Sequence, residues 1–115
     1  MFKNIITIAI ITLAFSCTKK EEKIPATIIA PEKMKQILID IHILEGTVNA
    51  SNMQADTATA TYNSLQEKLF QKHGIKQVQF DSSMAYYTRN LEDMDKIYTG
   101  VIDSLTVKEA LLNAK

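Results

Sequence analysis

The sequence predicts an all-α fold, a small bundle of three or four helices, on three observations. Apolar residues recur at i, i+3/i+4 and i+7 from Met34 onward. No run alternates apolar and polar with period two, so no strand is expected. The residues that interrupt the periodic stretches are helix starts and stops, with Pro31 before one stretch and Gly74 after another.

The first helix is expected from Pro31 through "PEKMKQILIDIHILEGTVNAS". Pro31 suits a first turn, because its missing N–H would have had no partner there, and Glu32 complements the positive end of the helix dipole. Met34, Ile37, Ile41, Leu44 and Val48 form one stripe, and Leu38, Ile39 and Ile43 add apolar surface on other sides. A helix apolar nearly all round belongs in the middle of a bundle. The second helix is expected from about Asn52 to His73, with Tyr62, Leu65 and Leu69 on its apolar side and a Thr-rich, weakly apolar start. Gly74 then supplies a left-handed terminating residue, which lets Ile75 fold back on Phe70.

Asp81 is the expected N-cap of the next helix, with Phe80 before it and Ala85 at the staple position; Met84, Tyr87 and Leu91 then share a face. Asn90 is the expected cap of the last helix, with Asp93 three residues on. Leu91, Met94, Tyr98, Val101, Leu105 and Leu112 keep heptad spacing, interrupted by Lys108. Such a stripe reads first as core and second as a dimer seam. About 85 helical residues make a small core, and the single cysteine leaves no disulfide to support it, so a homodimer or a partner helix would complete it.

The 13 basic and 13 acidic side chains cancel. Without a basic surplus or a block of like charges, nucleic-acid binding is excluded as a function.

The N-terminus follows different rules. Lys3 precedes an apolar run of 11 residues, Ile5 to Phe15, too short for the roughly 20 residues that a membrane-spanning helix needs. A signal segment is expected. Ala14-Phe15-Ser16-Cys17 then resembles the lipobox of bacterial lipoproteins, with Ala14 where that motif has Leu. The resemblance implies that the Cys17 thiol takes a diacylglyceryl group, that the chain is cut before it, and that the new N-terminus is acylated. It also disposes of an unpaired thiol that an oxidising compartment would otherwise attack. Thr18 follows Cys17 where inner-membrane lipoproteins carry Asp, which implies an outer-membrane address in the periplasmic or surface leaflet. The mature chain would hold 99 residues, with 12 basic and 13 acidic side chains. The expected division is therefore a signal over 1–16, a lipidated cysteine and flexible linker over 17–30, whose Ile28 and Ile29 can fold back onto the domain, and a helical domain over 31–115.

The segments "IIAPEKMKQILIDIHILEG", "KHGIKQVQFDSSMAYYTRN" and "LEDMDKIYTGVIDSL" together resemble the bacterial lipoprotein family catalogued as domain of unknown function 4296. The likeness is carried by Asp40-Ile41-His42, Phe80-Asp81-Ser82-Ser83 and Tyr86-Tyr87, from about Ile28 to Leu105. It implies a helical lipoprotein and an envelope address, and no activity.

Few residues offer chemistry. Asp40, His42 and Glu45 stand out on the first helix. At 100° per residue, His42 and Glu45 lie about 60° apart, while Asp40 points nearly opposite His42. His42 with Glu45 is either the working pair of a small envelope enzyme or of a ligand- or metal-binding protein, or a polar pair that fixes register; zinc would need three or four ligands. His73 is read as a cation suited to a helix C-terminus. Ser82 and Ser83 lack a nucleophile elbow, and Gly46, Gly74 and Gly100 stand too far apart to form a phosphate loop. No catalysis, cofactor or metal is expected. Asp40, His42, Glu45, Asp81, Tyr86 and Arg89 form the candidate surface for an envelope protein or glycan partner, with one of Tyr86 and Tyr87 turned outward beside Arg89.

Overall fold

The computed structural model describes residues 23–114. Four helices account for most of them: α1 Pro31–Ala50, α2 Ala55–His73, α3 Gln77–Arg89 and α4 Leu91–Asn113. The described residues contain no strand, and no helix among them is long and apolar enough to cross a membrane. The all-α expectation holds, with four helices. The signal segment and Cys17 lie outside the described residues.

The first helix occupies the centre because its apolar residues run round it. Met34, Ile37, Leu38, Ile39, Ile41 and Val48 are all buried, and the helix packs against both α2 and α4. The α2 helix returns antiparallel: Val48 and Glu45 share a groove with Ala58 and Tyr62, while Asp40 meets Lys72 and His73. The turn between them uses Asn52 at φ 55°, a left-handed conformation that Asn tolerates better than most residues. On the other flank α4 runs in the same sense as α1, since Lys35 lies against Gly100 and Ile43 shares a groove with Leu105 and Leu112. Two parallel neighbours need a long crossover, and α2 with α3 provides it.

The stop at Gly74 forms as its sequence predicts. Gly74 has φ 67°, its N–H donates to Gln71 O, and the Ile75 N–H donates to Phe70 O at 3.0 Å. These are the two bonds of a Schellman ending, and Ile75 and Phe70 are buried together. No atom lies within 4 Å of where a Cβ on Gly74 would stand. Gly74→Ala therefore loses only the left-handed backbone preference, about 1–2 kcal/mol. A thermal melt that leaves the midpoint unchanged would contradict that cost.

Four expectations are corrected. First, Asp81 is not an N-cap. The turn after Gly74 is so tight that α3 already starts at Gln77, after Lys76, and Asp81 sits inside the helix, accepting a bond from Gln77 Nε2 at 2.9 Å. Second, Asn90 precedes α4 without capping it through its side chain; its Nδ2 donates to Tyr86 O at 2.7 Å, which closes α3 instead. Third, the heptad stripe of α4 is not continuous. Ile97 and Val101 are buried, but Leu91 and Leu112 are 73% and 74% exposed. The drift of a seven-residue repeat, about 20° per heptad, puts each end only about 30° from the middle, so the exposed ends reflect missing neighbours rather than rotation of the stripe.

Fourth, the end of the linker is not flexible, because Ile28 and Ile29 do fold back onto the domain. Pro25 O accepts from the Ile28 N–H at 3.0 Å, and Ile29 is 3% exposed within the main core. The Ile29 N–H donates to Ser83 Oγ at 2.9 Å, Ser83 Oγ donates onward to Gln79 O, and Tyr87 Oη donates to Ile29 O at 2.6 Å. A buried extended residue has no ladder to satisfy its amide, so side chains of α3 do it. Ser83 and Tyr87 are themselves fully buried.

Candidate functional site

The side chains singled out in the sequence fall into three separate places. The first is the seam between α1 and α2. Asp40 Oδ2 lies 2.8 Å from His73 Nε2 and 3.4 Å from Lys72 Nζ, with Asp40 and His73 both partly buried. This arrangement ties the end of α2 to the middle of α1. His73 has more than the dipole role that its position alone implied. A hairpin drawn symmetrically about the Ser51–Gln54 turn would place Asp40 opposite Leu65, about two turns short of His73, so no register argument leads to this pair.

The second place is the half-exposed side of α1. His42 Nδ1 lies 3.3 Å from Glu45 Oε2, as their spacing predicts for an i, i+3 pair. The His42 ring meets Tyr98 of α4 edge-on, at 6.5 Å between centroids. Glu45 also faces Tyr62 of α2, whose phenol is pushed above its ordinary value, first by burial and then by the Glu45 charge. A histidine, a carboxylate and two phenols thus line the seams that α1 makes with α2 and α4. This set can bind polar groups. Among the described residues no three of His, Cys, Asp and Glu converge as metal ligands would.

The third place is α3. Tyr87 is the inward tyrosine, and Tyr86 is only half-buried, its ring set edge-on to Tyr87 at 5.2 Å and 86°. Arg89 is exposed in the last turn of α3, and Asp81 is exposed two turns earlier. Tyr87 packs inward as one of the pair was expected to, but Tyr86 also packs partly against the core rather than turning outward as a stacking platform. Asp40, His42 and Arg89 do not form one surface.

Two features had little signal in the sequence. One is the bonding of Ile29 by Ser83 and Tyr87, which joins residues 54 and 58 positions apart. The other is an apolar groove where Ile43 of α1 faces Leu105, Leu111 and Leu112 of α4. Its signal was present, as the far end of the heptad stripe, but periodicity does not say which end lacks a partner.

Over residues 25–110 the chain matches the family described as Domain of unknown function (DUF4296), and it belongs to that family. The match starts at Pro25, where the ordered turn ahead of α1 begins. Comparison with curated proteins gave no match, and neither did comparison with solved structures.

Proposed function

We propose that the protein is a lipid-anchored, non-catalytic interaction module of the bacterial cell envelope, held at the outer membrane through Cys17. The observation that carries this reading is the bonding of Ile29. Twelve residues after Cys17, the chain is bonded through both polar backbone atoms to α3. Only the residues before Pro25 therefore separate the lipidated end from chain that is bonded to the core. What the anchor would hold in place is a surface. On α3, exposed Asp81 and Arg89 offer charged and hydrogen-bonding groups to a protein or glycan, and the His42–Glu45 pair on α1 is a separate polar spot. The metal-binding alternative at His42 and Glu45 needs a third ligand, and the neighbouring Tyr98 is not a usual one for zinc.

The test is in-cell crosslinking and capture of the full-length protein beside an Asp81→Lys/Arg89→Glu variant. Both side chains are exposed, so the domain should stay folded, with a loss of about 1 kcal/mol from the reversed helix-end charge, roughly 4–8 °C in melting temperature. One dominant captured species, reduced at least tenfold in the variant, is expected. A diffuse set captured equally by both proteins would contradict an α3 interaction surface.

A further inference from the structure

The three-helix layer has two sides. Phe70 of α2 stacks on Phe80 of α3 at 5.0 Å, so α3 covers one of them. At 100° per residue, Lys68 points about 200° away from Phe70, onto the other. Ile43 lies at the centre of that uncovered side, 42% exposed. Toward α2 it borders a groove with Leu65, Lys68 and Lys72; toward α4 it borders one with Leu111, Leu112 and Lys108. Leu111 and Leu112 are 63% and 74% exposed.

Resting on the reading that Cys17 is lipidated, we propose that this uncovered side docks onto the anionic headgroup layer of the membrane that holds the chain. Exposed leucines set among lysines match a bilayer interface, where apolar side chains enter the acyl boundary and lysine stems extend toward phosphate. The charge has the right sign. Lys72 and Asp40 are paired with each other, which leaves Lys68 and Lys108 against the single carboxylate of Glu109. The geometry also allows it. Pro25 lies eight residues beyond Cys17, a reach of at most about 28 Å, so the domain never leaves the neighbourhood of the surface. Tethering at that range raises the effective concentration of the surface to about the millimolar level, so a weak docking face suffices. Docked this way, α3 with Asp81 and Arg89 faces away from the lipid.

Cys17 is the only cysteine, so acylation leaves a Leu111→Cys variant with a single free thiol for an environment-sensitive dye. The full-length lipidated protein is reconstituted into phosphatidylethanolamine/phosphatidylglycerol vesicles carrying a nitroxide lipid. An Asp81→Cys variant reports from α3. Docking predicts a blue-shifted emission and at least threefold stronger quenching at position 111 than at 81. Lys68→Glu/Lys108→Glu, or replacement of the lipid by phosphatidylcholine, should remove most of that difference. Equal quenching at the two positions on floating vesicles overturns the docking and leaves the anchor standing. A blue shift at 111 that grows with protein density without quenching also overturns it, in favour of a second copy on the same face. Protein that does not float with vesicles, and whose Cys17 takes the dye, overturns the anchor and the docking together.

Discussion

Tyr87→Ala is expected to remove most of the domain's stability, read as a large drop in the denaturant midpoint. Tyr87 is fully buried, and truncation of a large aromatic side chain costs about 3–5 kcal/mol in transfer and cavity terms. The change also strips the buried Ile29 carbonyl of its donor, a further ~1–3 kcal/mol. A domain of this length has about 5–14 kcal/mol in total, so the loss takes most of it. Tyr87→Phe separates the two contributions. It keeps the ring and removes only the donor, so a loss of about 1–3 kcal/mol is expected, read as a melting midpoint lower by roughly 4–8 °C per kcal/mol. Ser83→Ala should behave similarly by orphaning the Ile29 N–H, and the two changes should not add, because they share one partner residue.

The same residue gives the protein an alkaline limit. Burial first, then the negative charge of Asp93, then Tyr86, push the Tyr87 phenol up to about 12 from an ordinary value near 10. Below pH about 10 the phenol is neutral in folded and unfolded chains alike, and its contribution is fully present. Between about 10 and 12 the unfolded phenol ionises while the folded one does not, so stability falls as pH rises through that window. In Tyr87→Phe the fall across this window should be shallower than in the parent, and denaturant midpoints measured from pH 9 to 12 would show it. Parallel curves for the two proteins would contradict the assignment.

Cys17→Ser is expected to abolish incorporation of radiolabelled palmitate completely and to leave a precursor that still carries residues 1–16. The energetics make the loss all-or-none. Each buried methylene contributes about 0.8 kcal/mol, one acyl chain alone gives only marginal binding, and two or more give stable anchoring. Serine cannot take the diacylglyceryl group, so the cut that depends on it does not follow. The helical domain should be untouched, because its ordered contacts begin at Pro25. Its melting temperature should therefore match the parent's. Palmitate label persisting in Cys17→Ser would place the acylation elsewhere.

Local rules accounted for much of this fold, and their failures share a cause. The Pro31 start, the Gly74 stop and the central place of α1 follow from backbone chemistry and an apolar surface that runs nearly all round one helix. The His42–Glu45 pair follows from helical spacing. Asp81 misled because an Asp after an apolar residue is a good cap only where a helix has not already begun, and that depended on how tightly Gly74 turned the chain. The Asp40–His73 pair and the bonding of Ile29 join residues 33 to 58 positions apart. Helix registers and crossing angles decide such contacts, and no local pattern encodes them. The exposed Leu112 illustrates the same limit, since an apolar stripe identifies a face that wants a partner without saying where the chain supplies one.

The most direct measurement is the intact mass of the protein extracted from membranes of the cells that make it. The expected result is a chain that starts at Cys17, 99 residues long, with added mass matching a diacylglyceryl group on sulfur and an acyl group on the new N-terminus. A chain that retains residues 1–16, or one with an unmodified Cys17 thiol, would contradict the lipid anchor.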